Sequence, residues 1–153
     1  MNNNWGYNKD DKNFKSAKDL VQYLVKAAGN NANFLLNVGP MPDGTIQPEF
    51  REHLAEMGKW MRANGESVYG TRGGPVGPQS WGVMTAKPGT VYLHVLSDTD
   101  KVIAVPAFGK TITGAKLLNG TKVEFASTRI GTMVKLPETG RDPYDTVVAL
   151  KVR

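Results

Sequence analysis

The side chains most able to do chemistry in this chain are the carboxylates around one short turn. Asp43 lies in Pro40-Met41-Pro42-Asp43-Gly44-Thr45 and Glu49 follows it by six residues. A tight turn could fold the two toward one opening, where paired carboxyl groups divide the work of proton donor and base or nucleophile. The spacing does not fix their separation. The other acidic groups have plainer readings: Asp10-Asp11 as a solvated pair ahead of a helix, and Glu49, Glu52 and Glu56 as the exposed face of a helix. His53 and His94 have neither metal-site nor triad spacing and read as ordinary surface or half-buried histidines. Trp60 and Trp81 could form a sugar-stacking platform, although core packing explains each better. Trp5, in Trp5-Gly6-Tyr7-Asn8, is the remaining large aromatic of interest, and Asn37 and Asp43 suit turn-forming roles.

The elements that must position these residues are legible as changes of period. Ser16 and Asp19 form a capping-box pattern, and Leu20, Val21, Leu24, Val25 and Ala28 recur at helical spacing until Gly29-Asn30. Asn33 to Val38 is an apolar run with Asn37 near its end, which predicts a strand covered on both faces, closed by Gly39-Pro40. Pro48 then opens a second helix with Phe50, Leu54, Met57 and Met61 on one face, and Asn64-Gly65 supplies a left-handed stop. Gly70 to Gly77 breaks the pattern and marks a linker or boundary. Beyond it, short β-rich runs at 81–85, 90–96, 102–105, 115–118, 122–125, 132–136 and 146–152 have the spacing of an antiparallel sandwich. Asn119-Gly120-Thr121 satisfies a glycosylation sequon, yet Asn-Gly between two such runs reads more simply as a type I′ hairpin turn.

Composition narrows the function classes. Of 153 residues 40% are hydrophobic and 22% charged, as in a soluble globular protein, and no apolar run has the length of a membrane helix. The net charge of +5 is carried by scattered Lys and Arg without a basic stripe, so neither nucleic acid nor membrane is an expected partner. There are no cysteines, so stability must come from packing. Met1-Asn2-Asn3-Asn4-Trp5 has no signal-peptide character.

Three segments in series, Trp5-Gly6-Tyr7-Asn8, Asn33-Phe34-Leu35-Leu36-Asn37-Val38-Gly39-Pro40 with Asp43-Gly44-Thr45, and Asn64-Gly65-Glu66-Ser67-Val68-Tyr69-Gly70, resemble the end of the catalytic barrel in α-L-fucosidases of glycoside hydrolase family 29. The resemblance implies an α+β chain. Residues 1–70 would be a short α/β fragment like the last strand-helix units of a (β/α)8 barrel, and residues 71–153 an antiparallel β-sandwich. It implies a retaining hydrolase of α-L-fucosides without a cofactor, whose nucleophile and acid/base carboxyl groups stand roughly 5 Å apart. In the family both carboxylates and the sugar-binding histidines precede the Trp-Gly-Tyr segment, and they have no counterpart here. Catalysis by this chain is therefore in doubt, with Asp43 and Glu49 the only candidates. Trp5 matches the aromatic wall against the methyl side of fucose, and packing between barrel strands would explain it equally well. The implied partner is a fucosylated glycan or small α-L-fucoside. The expected assembly is a homo-oligomer or the remainder of the barrel, unless the two helices cover themselves on the sandwich. Family members are often secreted, periplasmic or lysosomal. The alternative reading is a non-catalytic carbohydrate-binding or structural sandwich module.

Overall fold

Ser16 opens the first helix as the sequence predicts. In the computed structural model, which describes residues 1–153, its hydroxyl accepts from the Asp19 amide and the Asp19 carboxylate accepts from the Ser16 amide. This satisfies two helix-end donors reciprocally. Helix α1 (Ala17–Gly29) buries Leu20, Val21 and Val25, and the chain leaves it through Asn31, in a left-handed conformation at φ 54°. Helix α2 (Pro48–Asn64) starts on Pro48 and buries Phe50 and Trp60. Gly65 does not stop α2 in a left-handed conformation. Its φ is −59°, the helix tightens into a single 3-10 turn (Gly65–Ser67), and the left-handed residue is Gly70. A Cβ at Gly65 would meet the Tyr69 ring at 2.8 Å, and that exposed ring would have to swing aside.

The rest is antiparallel. One sheet has the order β1-β2-β3-β8-β5, built from β1 (Arg72–Gly73), β2 (Gly82–Lys87), β3 (Thr90–Val95), β8 (Thr146–Val152) and β5 (Ile112–Leu117). The other has the order β4-β7-β6, from β4 (Val102–Pro106), β7 (Gly131–Lys135) and β6 (Glu124–Ser127). Val91, Leu93, Val95, Ile103, Val105, Val134, Val148 and Leu150 fill the space between them. The helices cover the outer face of the larger sheet, where Val21, Val25 and Trp60 meet Tyr92, Val147 and Ala149. Three layers result, helices, large sheet and small sheet, and the α+β class follows from them. Because the large sheet is the middle layer, β3 is apolar on both alternations, unlike a half-solvated antiparallel strand.

Within the segment read as a linker or boundary, Gly73 N–H donates to Asn31 Oδ1 at 2.7 Å and Gly74 N–H to the Met84 carbonyl at 2.8 Å. A side chain on Gly74 would collide with Met84 Cβ at 2.3 Å. The Asn119-Gly120 turn forms where expected, but only Gly120 is left-handed (φ 93°), so it is not type I′. Leu117 C=O accepts from Gly120 N–H and Leu117 N–H donates to Thr121 C=O, the longer hairpin loop with glycine in the left-handed place. Finally, residues 33–38 join no sheet. A strand needs a ladder partner, and the hydrogen bonds this run makes go to the first residues of the chain, with the Met1 ammonium donating to Asn37 C=O at 2.7 Å.

Candidate functional site

The run from Asn33 to Thr45 and the segment around Trp5 meet at one end of the helical layer. Asn37 Nδ2 donates to the Trp5 carbonyl at 2.7 Å. Gly39 lies so close to Gly6 that a Cβ would come within 2.6 Å of the Gly6 carbonyl carbon. With its carbonyl held by Asn37, Trp5 stands 81% exposed. It does not pack between strands. Leu36, Val38 and Ile46 anchor the run from below against Met1, Leu20 and Phe50.

Asp11, expected as one of a solvated pair, is not solvated. It is buried, and its Oδ2 accepts from Asn3 N–H at 3.1 Å and Asn4 Nδ2 at 2.6 Å while Oδ1 accepts from Asn13 N–H at 3.0 Å. The Asn13 amide, with the Asn4 and Asn3 donors, holds this carboxyl below the usual aspartate range despite burial. Asp11 thus fixes the two residues directly before Trp5. Five asparagines in the first thirteen residues, with Asp11 among them, are the signal the sequence offers.

Asp43 and Glu49 do not share a hydrogen bond or ion pair. Asp43 Oδ1 accepts from Thr45 N–H at 3.0 Å and Thr45 Oγ1 at 2.8 Å, which closes its own turn over the left-handed Gly44. Those bonds keep Asp43 below its ordinary value, hence ionised and committed to the loop. Glu49 is half-buried in the first turn of α2, where a carboxylate complements the helix dipole.

His94 is neither a surface nor a half-buried histidine. Together with Asp145 it is fully buried between the helices and the large sheet, Nδ1 lying 2.6 Å from Asp145 Oδ2. Nε2 lies 3.1 Å from Thr85 Oγ1, whose own proton goes to the Ser67 carbonyl at 2.6 Å. The hydroxyl has one proton to give, so Nε2 carries the proton of the His94–Thr85 bond. Acid, imidazole and hydroxyl stand in the order of an acyl-transfer triad. Their geometry is sealed, however, and the hydroxyl is a spent donor, so this series holds layers together and offers no nucleophile. The alternation of β3, with His94 in an otherwise apolar run, signalled burial. Its partner fifty-one residues away carried no local signal.

The aromatic platform is absent: Trp60 and Trp81 are both buried, and Trp81 Nε1 donates to the Ala104 carbonyl at 2.9 Å inside the sandwich. His53 is half-buried on α2, its Nδ1 without a partner. A groove of about 840 Å³ runs past Leu54, Met57, Met61, Arg62, Tyr69 and Lys116 and contains none of the candidate residues.

The comparisons converge on one family. Residues 1–66 match the family model described as Alpha-L-fucosidase. Plasma alpha-L-fucosidase of Pongo abelii is 34% identical over 146 residues, covering 88% of this chain and 31% of that protein. Tissue alpha-L-fucosidase of Mus musculus is 32% identical over 145 residues, covering 88% of this chain and 32% of that protein. Among solved structures, alpha-L-fucosidase isoenzyme 1 from Paenibacillus thiaminolyticus superposes with a TM-score of 0.90 at 32% identity, over 100% of this chain and 38% of that one. An alpha-L-fucosidase GH29 from Bacteroides thetaiotaomicron, trapped as a covalent intermediate with 2-fluoro-fucosyl fluoride, gives 0.86 at 30% identity over 97% of this chain and 36% of that one. The chain spans about a third of the length of these relatives. With the Trp5 segment, the Asn33 to Thr45 run, two helices and a sandwich all matched in order, the chain belongs to the α-L-fucosidases of glycoside hydrolase family 29 and corresponds to their C-terminal portion.

Proposed function

We propose that this chain serves an α-L-fucosidase acting with retention on α-L-fucosides, that Trp5 forms the wall against the methyl side of the sugar, and that the reacting carboxyl pair is not drawn from this chain. On this reading residues 1–70 carry the pocket wall and residues 71–153 form the sandwich that supports it. The observation that carries it is the presentation of Trp5: a bare indole on a backbone gripped by Asn37 and Gly39 and preceded by residues tied to Asp11. A flat apolar face of this kind suits a deoxy-sugar's methyl group.

The carboxylates support the second half of the proposal. Retention needs a nucleophile on one side of the anomeric carbon and a proton donor on the other. Asp43 is closed into its turn, Asp11 into the N-terminal segment and Asp145 behind the helices. The purified chain is therefore expected not to release 4-nitrophenol from 4-nitrophenyl α-L-fucoside. Asp43→Asn and Glu49→Gln preparations run in parallel identify a contaminating enzyme, since all three would then release product equally. Turnover that falls in either variant would mean a working carboxylate pair within this chain and would end the proposal.

A further inference from the structure

Although Lys and Arg are scattered along the chain, the net charge is not. Residues 101–136 hold six of the nineteen Lys and Arg residues and one of the fourteen Asp and Glu residues, so they carry the whole excess of +5 while the rest of the chain is neutral. That stretch builds β5 and the small sheet, the layer farthest from the helices. The other acids of the sandwich stand at one end of it. Asp98 and Asp100 precede β4, Glu138 follows β7, and Asp142 and Asp145 precede β8, with Arg141 joining two of these segments by donating to the Asp100 carbonyl at 2.8 Å.

At the opposite end, the turn between β4 and β5 carries Lys110 and the turn between β6 and β7 carries Arg129. Ala107 N–H donates to Ile130 C=O at 3.1 Å and ties the two turns together. Beside this tie lies a cavity of about 350 Å³, lined by Lys110, Arg129, Phe108, Thr111, Ser127 and Thr132 among others and by no acidic residue. Glu124, the one acid of the stretch, pairs with Lys135 at 3.0 Å. It lies three residues before Ser127 on β6, about 10 Å away along the strand. Lys110 and Arg129 are exposed and make no ion pair within the chain. Ser127 Oγ and Thr132 Oγ1 lie 2.9 Å apart, and Thr132 is buried. Two hydroxyls that bond each other use one proton and keep the second for another acceptor. Thr128, by contrast, closes its own turn by donating to Gly131 C=O at 3.0 Å.

We propose that this cavity binds an oxyanion carried by a sugar, a sulfate ester or a carboxylate, with Lys110 and Arg129 pairing with its charge and the Ser127–Thr132 pair donating to it. Two unpaired cations and an uncommitted hydroxyl proton, around a cavity without a carboxylate, are donors that only an anion satisfies together. The oxyanion follows from that donor set, whereas the sugar rests on the reading of this chain as part of an enzyme acting on glycosides. The volume of about 350 Å³ is that of a small ligand site, with room for one sugar unit and its charged substituent, and Phe108 supplies apolar lining. None of the residues around Trp5 lines the cavity, so the anionic unit is a part of the glycan other than the fucosyl residue. The cations are exposed and screened by salt, so the binding is weak.

The test is an NMR titration of the purified chain with galactose 6-sulfate, galactose and inorganic sulfate at constant ionic strength, each up to about 50 mM to cover millimolar affinity. Galactose 6-sulfate should shift the amides of Gly109, Thr111 and Ile130 and saturate. Inorganic sulfate, which lacks the sugar's contacts, should bind more weakly, and galactose should not bind. Lys110→Gln and Arg129→Gln should each weaken galactose 6-sulfate by about tenfold, the worth of one charge-assisted hydrogen bond. Lys101→Gln removes the same charge at the other end of β4 and should bind normally. All three side chains are exposed, so the fold is kept, which circular dichroism checks. The proposal is overturned if galactose 6-sulfate gives no saturable shift, if galactose or inorganic sulfate binds as tightly, if Lys110→Gln and Arg129→Gln bind like the unaltered chain, or if Lys101→Gln loses as much as they do. Trp5→Ala should leave this binding unchanged, so a failed titration does not touch the pocket-wall reading, and turnover by this chain's own carboxylates would end that reading without moving these shifts.

Discussion

Gly39 shows how one missing Cβ can set the position of a ring it never touches. Its Cβ would lie 2.6 Å from the Gly6 carbonyl carbon and 2.8 Å from the Tyr7 nitrogen, both backbone atoms that cannot swing aside as a side chain can. Gly39→Ala is therefore expected to displace the Gly6–Tyr7 backbone and to stretch the Asn37–Trp5 bond while α1, α2 and the sandwich keep their structure. The Trp5 indole N–H resonance should shift, with those of the buried Trp60 and Trp81 unchanged. Three unchanged indole signals would show that the contact is not what positions Trp5. Asp11 acts on the same segment from the other side, and its carboxyl is held low, so its contribution is present above about pH 3.8 and fades as pH falls through the lower folded value.

Between elements, the decisive contacts are polar. Ser67 Oγ donates to the Asn64 carbonyl, Thr85 to the Ser67 carbonyl, and His94 bridges Thr85 to Asp145, so one hydrogen-bonded series passes from the end of α2 through β2 and β3 to the residue that precedes β8. Removing one member of a buried pair strands the other, at a cost of about 3–5 kcal/mol. His94→Ala should destabilise the chain by that order in urea unfolding. Burial raises the Asp145 carboxyl, an effect only partly opposed by His94 and reinforced by Asp142. The folded state then holds the Asp145 proton more tightly than the unfolded state, so this group favours folding at low pH. Its contribution is lost as pH rises from about 3.8, the unfolded value, through the raised folded one. Asp145→Asn should remove that slope from the urea midpoint measured across pH 4–7, whereas the same slope in both proteins would place its origin elsewhere. These elements were legible to different degrees in the sequence. Ser16 with Asp19, the apolar spacing of both helices, and the short β runs announced nearly every element, because each signal is local. The strand at 33–38 was misread because its apolar pattern records a preference for pairing, and pairing depends on a neighbour the pattern cannot supply. His94 with Asp145, and Asp11 with Asn3 and Asn4, were missed because a hydrogen bond between distant or irregular residues leaves no period.

The whole molecule has no layer that can stand alone. The large sheet is apolar on both faces, with Leu93 and Val148 turned to the small sheet and Tyr92 and Val147 to the helices. Stripping the helices would expose that second face together with Thr85 and His94. Although the helical segment and the sandwich follow one another along the chain, heating should give one calorimetric transition whose enthalpy equals the van't Hoff value. Two resolved transitions would show that the helical layer melts by itself. The tie between Ser67, Thr85, His94 and Asp145 also bears on descent. Each member is useful only while the others are present, because a lone replacement leaves a buried group unanswered. Across a set of related sequences these four positions should accordingly behave as a single inherited character, kept together or exchanged together for apolar residues, with few lineages caught between.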